Sequence, residues 1–181
     1  MDAVAWLPLD FWRDAYDMQH NRDNGKCTGM PTHSEDRHMP YTAQQMYDLV
    51  SDVGCYPAFL PWCAAARIRS VVPEGESEVM LADLVISFKV FREKFGSRVI
   101  LHPNDRNVDT EYLDGPFKYM KSNWSFEDAP NGGCHVKFFV DFEFKNAILQ
   151  GVIGLVFNEA MLRIVRAFET RAQALYGDAQ P

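Results

Sequence analysis

Residues 134–177 read CHVKFFVDFEFKNAILQGVIGLVFNEAMLRIVRAFETRAQALYG, and the spacing of the apolar residues changes within this stretch. As far as Phe144, apolar and polar side chains alternate, which is typical of a strand with one buried face. From Asn146 to Tyr176 the apolar residues recur at helical spacing, and Gly177 follows as a stop signal. The stretch therefore predicts a strand followed by a helix about 45 Å long.

The alternating period also dominates the preceding part of the chain, from Cys63 onward. Short turn sequences rich in Pro, Gly, Asn and Asp interrupt it. Strands joined by such hairpins pair antiparallel and have one solvated and one buried face. We predict a meander of about six strands between Cys63 and Phe144. The predicted turns are 73–75, 103–105, 114–116 and 130–133.

The buried face of this sheet needs a cover, because a large apolar surface is not stable in water. The C-terminal helix is the largest amphipathic element that the sequence offers for this purpose. We therefore predict an α+β fold in which a curved antiparallel sheet wraps around the long C-terminal helix.

A strand-like segment follows Met30, and two shorter features lie between it and the meander. Thr42 can cap a helix of about twelve residues that ends at Gly54. The segment YPAFLPW, residues 56–62, is apolar and contains two prolines, so we expect one turn of helix between them and a lid-like role. Residues 1–29 have no period and are expected to be an appendage, either disordered or, if translation starts at Met30, not native. Residues 30–181 are expected to form a single domain. The aromatic opening of the appendage alternatively predicts a membrane or partner contact.

Composition excludes several classes of function. The formal net charge of -7 argues against DNA or bulk nucleic acid as a partner. No stretch reaches the roughly 18–20 apolar residues that span a bilayer, so we expect a cytoplasmic protein, peripheral at the inner membrane at most. The four cysteines lack paired spacing and are expected to be buried, reduced thiols, and the five histidines predict no metal site.

Catalytic motifs are equally absent from the sequence. It contains no nucleophile elbow, phosphate-binding loop or dinucleotide fingerprint. Asp141 and Glu143 fit a solvated strand face better than an acid–base pair. Glu93 shares a predicted face with Phe91 and Phe95, so it is the candidate for a buried base, with an ion-paired carboxylate as the alternative. We predict no enzymatic activity.

The predicted concave face of the sheet is rich in aromatic residues. Plain core packing explains this, but a helix crossing a bent sheet also leaves room for a cavity beside the YPAFLPW segment. Such a cavity would suit a flat or elongated apolar molecule. The aromatic residues are Phe88, Phe95, Trp124, Phe126, Phe138 and Phe142.

Five segments together resemble the coenzyme Q-binding START-like family, which belongs to the polyketide cyclase/dehydrase-like superfamily and includes bacterial ribosome association toxins. The resemblance extends over about residues 33–177. The segments are HMPYTAQQMYDLVSDVGCYPAFLPWC (38–63), LVISFKVFREKFGSRV (84–99), DGPFKYMKSNWSF (114–126), VDFEF (140–144) and GLVFNEAMLRIVRAFETRAQALYG (154–177).

The resemblance implies a helix-grip fold and ubiquinone binding in support of respiration and quinone biosynthesis, with no catalytic residues to carry over. The pair Ile86-Ser87 departs from the small residues that the family often has there, which affects pocket size. The binding candidates carried over from the family motifs are Pro61, Trp62, Phe88, Val90, Phe91, Phe117 and Trp124. The apolar faces add Leu84, Ile86, Phe95, Phe126, Phe138, Phe142 and Val156.

Three functions compete at this point. The first is non-catalytic binding of ubiquinone or a related lipid, with transient membrane contact through Phe59, Leu60 and Trp62. The second, implied by the toxin members of the family, is binding to the large ribosomal subunit to block subunit joining. The third, a cyclase, would depend on Glu93. For the ribosome, a basic strip on one strand face is available, although it also fits a solvated surface: Arg67, Arg69, Arg92, Lys94 and Arg98.

Overall fold

The computed structural model describes residues 32–88 and 91–177. The expected appendage, residues 1–29, lies outside the described residues. The elements in chain order are β1 (Thr32–Met39), α1 (Ala43–Ser51), a 3₁₀ helix (Val53–Ala58), β2 (Cys63–Glu74), β3 (Ser77–Phe88), β4 (Phe91–His102), β5 (Asn107–Asp114), β6 (Phe117–Asp128), β7 (Cys134–Phe144) and α2 (Ala147–Tyr176).

The strands form one antiparallel sheet of seven strands in the order β1-β7-β6-β5-β4-β3-β2. Strands β2 to β7 are the predicted meander. β1 pairs with β7 from Thr32 opposite Asp141 to Met39 opposite Cys134 and forms one edge of the sheet. Register shifts in β2 and between β4 and β5 help the sheet to curve around α2. The predicted α+β fold with a curved sheet around the C-terminal helix is confirmed.

The transition from β7 to α2 follows the change in sequence period. In β7 the alternate residues Val136 and Phe138 are buried, at 6% and 8% exposure, whereas Lys137 is exposed. The Asn146 side chain then accepts hydrogen bonds from the backbone N–H groups of Ile148 and Leu149, which caps the first turn of α2. Both bounds of the helix agree with the prediction.

Helix α1 is shorter than predicted. Thr42 caps the helix as predicted, and the Gln45 side chain completes a reciprocal cap, but the helix ends at Ser51 rather than Gly54. The phenol of Tyr56 donates a hydrogen bond of 2.5 Å to the Val50 carbonyl, which the next helical turn would otherwise use. The chain therefore tightens into the 3₁₀ helix.

The helical turn predicted between the two prolines of the YPAFLPW segment is also misplaced. It belongs to the 3₁₀ helix, which contains Pro57. Beyond it, the Tyr56 carbonyl accepts from the N–H groups of both Phe59 and Leu60, at 3.2 Å and 2.8 Å. These bonds fold residues 59–62 into a compact turn against β2. The 3₁₀ helix and this turn are together called the lid.

Helix α2 crosses the concave face and is anchored near its C-terminus. The hydroxyl of Tyr176 donates to the Gln45 carbonyl at 2.9 Å, and its ring lies 5.8 Å from that of Tyr41. Near the N-terminus of the helix, by contrast, Ile148 is 72% exposed. The C-terminal end of α2 is therefore fixed to α1 and to the loop between β1 and α1.

Candidate functional site

A pocket lies where the C-terminal half of α2 meets α1 and strands β1, β6 and β7. It contains about 340 Å³ of empty space, counting its mouth, which opens to solvent. Its wall combines seven apolar residues with three charged ones. The apolar residues are Met39, Met46, Trp124, Val136, Phe138, Val165 and Phe168, and the charged residues are Glu35, Arg37 and Glu169.

One wall of the pocket is aromatic. Trp124 on β6 and Phe138 on β7 are cross-strand partners, so their side chains leave the sheet on the same face. Their rings stack with centroids 4.1 Å apart and planes 25° apart, and Phe168 of α2 lies 5.1 Å from Trp124. This arrangement gives the pocket an apolar, aromatic wall.

The adjoining wall, on β1 beside Phe138, is charged. The inward-facing residues of β1 are His33, Glu35 and Arg37, which alternate with exposed residues. Arg37 donates from Nε to Glu35 Oε1 at 2.6 Å and from Nη1 to Glu169 Oε1 at 2.5 Å. Nε2 of His33 lies 3.1 Å from the other carboxylate oxygen of Glu35. One guanidinium is therefore bracketed by two carboxylates, one from β1 and one from α2.

Hydrogen bonding keeps these groups charged. Burial by itself would raise the pKa of Glu35, but the bonds to His33 and Arg37 outweigh it and the pKa is lowered. The pKa of Arg37 is raised, chiefly by its hydrogen bond to Glu169. The charged wall therefore combines one cation with a carboxylate that keeps its negative charge well into the acid range.

Two of the predicted binding residues, Trp124 and Phe138, line this pocket. Phe126 does not, because it lies behind them at 1% exposure, with its ring 6.3 Å from that of Tyr47. Core packing accounts for Phe126.

Three further predicted residues form a separate aromatic cluster on the concave face. Phe117 lies 5.4 Å from Phe95 and 5.6 Å from Phe142 between ring centroids. Phe157 of α2 covers Phe142 at 5.5 Å. This cluster is continuous with the core but does not line the pocket.

The remaining predicted residues lie near the lid or along β3 and α2. Trp62 and Phe88 meet edge to face at 5.1 Å. Leu84, Ile86 and Pro61 are half-buried. Val90 lies outside the described residues, and Phe91 and Val156 belong to β4 and α2, respectively.

The lid packs against α2 through aromatic rings and arginines. The ring of Phe59 lies 5.2 Å from that of Phe168, and Arg171 lies over Phe59 at 5.8 Å. Arg163 lies over Trp62 at 5.9 Å. Trp62 itself has φ of 65°, an unfavourable region for a bulky residue, and its carbonyl accepts from the N–H of Ser87 at 2.7 Å.

Sequence reasoning missed eight of the pocket residues. For the apolar ones a signal existed, since Met46, Val136 and Phe168 lie on predicted apolar faces. For Glu169 and Arg37 the sequence contains no such signal, because their contact joins residues 132 positions apart. The residues missed are Glu35, Arg37, Met39, Met46, Val136, Val165, Phe168 and Glu169.

Much of the basic strip on the outer face of the sheet is neutralised. Asp83 is 7% exposed and pairs with Lys94 at 3.1 Å and Arg69 at 3.5 Å. Arg98 pairs with Glu74 at the end of β2, two strands away, at 3.1 Å and with Glu111 on the neighbouring β5 at 3.2 Å. The local positive charge available to an RNA backbone is correspondingly small.

The structure also locates the candidate base Glu93 and three of the four cysteines. Glu93 lies opposite Ile86, on the same strand face as Phe95, and is partly exposed. Cys63 and Cys134 are buried as predicted, but Cys55 is exposed, because it lies on the outer side of the 3₁₀ helix. Within the described ranges, no three potential metal-ligating side chains come together.

Comparison with known proteins identifies the family of this chain. Residues 39–169 match the family described as polyketide cyclase / dehydrase and lipid transport. The chain belongs to this family. The coenzyme Q-binding START-like resemblance is thus confirmed at the level of the polyketide cyclase / dehydrase and lipid transport family.

Two relatives in the polyketide cyclase / dehydrase and lipid transport family carry different names. The ribosome association toxin RatA of Rickettsia prowazekii is 43% identical over 139 residues, 75% of this chain and 91% of the toxin. The mitochondrial coenzyme Q-binding protein COQ10 homolog B of Xenopus laevis is 30% identical over 149 residues, 80% of this chain and 59% of that protein. Neither name denotes an enzyme, although the family description includes cyclases.

Solved structures confirm the START-like fold. An 18 kDa protein of Caulobacter crescentus is 33% identical, with a TM-score of 0.69 over 82% of this chain and 99% of that one. A START superfamily protein of Mycobacterium smegmatis, 18% identical, also has a TM-score of 0.69, over 81% of this chain and 99% of that one.

In the described residues, no helix combines the length and the apolarity needed to cross a bilayer.

Proposed function

We propose that this protein binds ubiquinone or a closely related lipid, without catalysing a reaction, in the pocket between α2 and strands β1, β6 and β7. The stacked pair of Trp124 and Phe138 carries the proposal, since it gives the pocket an aromatic wall against which an apolar ring can pack. The coenzyme Q-binding name of the Xenopus relative supports the same ligand class. We assign the ligand-binding domain to residues 30–181.

Energetics indicates that the tail of the lipid must be buried as well as its ring. Removing about 200 Å² of ring surface from water contributes roughly 5 kcal/mol. Immobilising the ligand opposes this by at least about 4 kcal/mol. Micromolar affinity requires about 8 kcal/mol net, so a ring alone binds weakly.

The concave face offers a path for that tail. From the pocket it continues through Phe142 to the aromatic cluster of Phe95 and Phe117 and to the half-buried Leu84 and Ile86 on β3. The figure of about 340 Å³ includes open solvent at the mouth, and the enclosed part of the pocket is far smaller, so the pocket as it stands is too small for a prenylated quinone. We therefore propose that the N-terminal half of α2 moves outward to admit the tail.

The lid is the proposed point of exchange with a membrane. Phe59, Leu60 and Trp62 are half-buried and apolar, and Arg163 and Arg171 lie beside their rings. Aromatic rings flanked by arginines suit the boundary between headgroups and acyl chains.

Filling the pocket tests the proposal. Val165→Phe would place a ring in the empty space, and we expect it to weaken binding of decylubiquinone, followed by tryptophan fluorescence, at least about tenfold. Leu162→Phe is the matched control, because Leu162 lies on the same helix but is 41% exposed outside the pocket. Equal affinities of the two variants and the wild type, all folded, would contradict the proposed site.

A second candidate function is ribosome association, favoured by the 43% identity to the Rickettsia toxin. The contact would use the outer sheet face, where Arg67 and Arg92 have no carboxylate within 4.0 Å in the described part of the chain. Co-sedimentation with large ribosomal subunits at modest salt tests it. Arg67→Glu with Arg92→Glu should abolish co-sedimentation, whereas Arg166→Glu on α2 should not. Wild-type protein that stays in the supernatant would remove this candidate.

A further inference from the structure

The charged wall of the pocket has more negative than positive charge. Glu35 and Glu169 contribute two carboxylates, and Arg37 is the single cation among the residues that line the described pocket. These side chains are only 18%, 33% and 34% exposed, so solvent screens them less than it screens surface groups. With His33, which contacts Glu35, counted as neutral, the formal charge at this wall is therefore -1.

Arg37 is already occupied by these carboxylates. Its Nε and Nη2 lie 2.6 Å and 2.5 Å from Glu35 Oε1, and its Nη1 donates to Glu169. A carboxylate or phosphate on a ligand would have to displace one of these partners and would then lie beside it as a like charge. Like charges brought together in a partly buried site oppose binding.

We infer that the wall formed by Glu35, Arg37 and Glu169 selects uncharged ligands and rejects anionic amphiphiles such as fatty acids and phospholipids. The inference rests on the proposed function and identifies its specificity-determining residues. A neutral carbonyl can accept from the remaining N–H groups of Arg37, and a neutral hydroxyl can donate to the carboxylates. The wall thus orients an uncharged polar end while the stacked rings of Trp124 and Phe138 hold the apolar part.

The test compares two probes that differ in charge but share a decyl chain, 1-decanol and decanoate, together with decylubiquinone. Binding to the full chain is measured by tryptophan fluorescence near neutral pH. We expect decanoate to bind at least about tenfold more weakly than 1-decanol. In Glu169→Gln, which removes one negative charge with little change of shape, decanoate affinity should rise by about tenfold, whereas the affinity for 1-decanol should not change.

Glu159→Gln is the matched control, because it makes the same charge change on the same helix at a residue that pairs with Arg163 outside the pocket. It should leave all three affinities unchanged. Decanoate binding as tightly as 1-decanol in the wild type, or an equal response of the two variants, would overturn the inference even while decylubiquinone binds. A folded protein that binds none of the probes would overturn the proposed function and this inference together.

Discussion

Glu35 is held as a carboxylate by its hydrogen bonds to His33 and Arg37, so its charge contributes to folding in a pH-dependent way. Its pKa is lowered in the folded protein. The contribution is therefore fully present above the unfolded-state pKa of about 4.3 and is lost as the pH falls through the lower, folded value.

From this linkage we predict that Glu35→Gln lowers the free energy of unfolding by about 1–2 kcal/mol at neutral pH. This difference in the free energy of unfolding between wild type and variant, the deficit, should shrink as the pH falls below about 4. Thermal unfolding of both proteins across this range measures it. Glu127→Gln, at an exposed ion pair with Lys137, is the control and should show a deficit near zero throughout. A deficit for Glu35→Gln that does not vary with pH would contradict this account.

Single aromatic residues show what sequence can and cannot predict at this scale. The alternating period predicted that these aromatic residues share one face of the sheet, and in β6 and β7 they do. The period could not predict their separate roles, because Phe126 and Trp124 occupy equivalent positions in the pattern. Phe126 is nevertheless buried behind the pocket, whereas Trp124 lines it. That difference depends on where α1 and α2 pack, and a strand's own period does not contain it.

At the scale of elements, the N-terminal half of α2 is less stable than its length implies. Gly151 and Gly154 lie within the helix, and apart from their chain neighbours and the backbone of the helix itself, no atom lies within 4 Å of the place where a Cβ would be at either residue. Alanine is favoured over glycine in a helix by about 1 kcal/mol. A cover that must move to admit a lipid tail benefits from such weak positions.

We predict that Gly151→Ala with Gly154→Ala raises the free energy of unfolding by about 1–2 kcal/mol and slows decylubiquinone uptake. Urea unfolding and stopped-flow fluorescence measure the two effects. Gly177→Ala is the control: its φ of 79° disfavours a side chain, so this variant should be destabilised. Faster or unchanged uptake in the stabilised double variant would contradict the proposed movement of α2.

The lid permits a separate prediction. Trp62→Gly relieves the positive φ but loses the edge contact with Phe88, the contact with Arg163 and the buried part of the indole, so the free energy of unfolding should fall by about 1–3 kcal/mol while the protein stays folded. Flotation with vesicles should nevertheless fall, because an interfacial ring is removed. Leu113→Ala, at an exposed apolar residue away from the lid, should float like the wild type. Undiminished flotation of Trp62→Gly would exclude the lid as the membrane contact.

For the whole molecule, the order of elements and the grip of the sheet on α2 followed from the sequence, since the period changes from two to helical at Asn146 and one large apolar face needed a cover. The charged side of the pocket did not follow. β1 has the polar sequence THSEDRHM. Its inward-facing residues form the charged wall only through the contact between Arg37 and Glu169, which lies near the other end of the chain. Long-range pairing of this kind leaves no local period.

The central claim is that the fold retains a neutral lipid of the quinone class. The most direct measurement is organic extraction of the purified full chain, produced in a bacterium that makes ubiquinone, followed by mass spectrometry of the extract. We predict ubiquinone in an amount comparable to the protein, and a large loss of it in Val165→Phe but not in Leu162→Phe. An extract without quinone from well-folded wild-type protein would contradict the claim and favour the ribosome as the target.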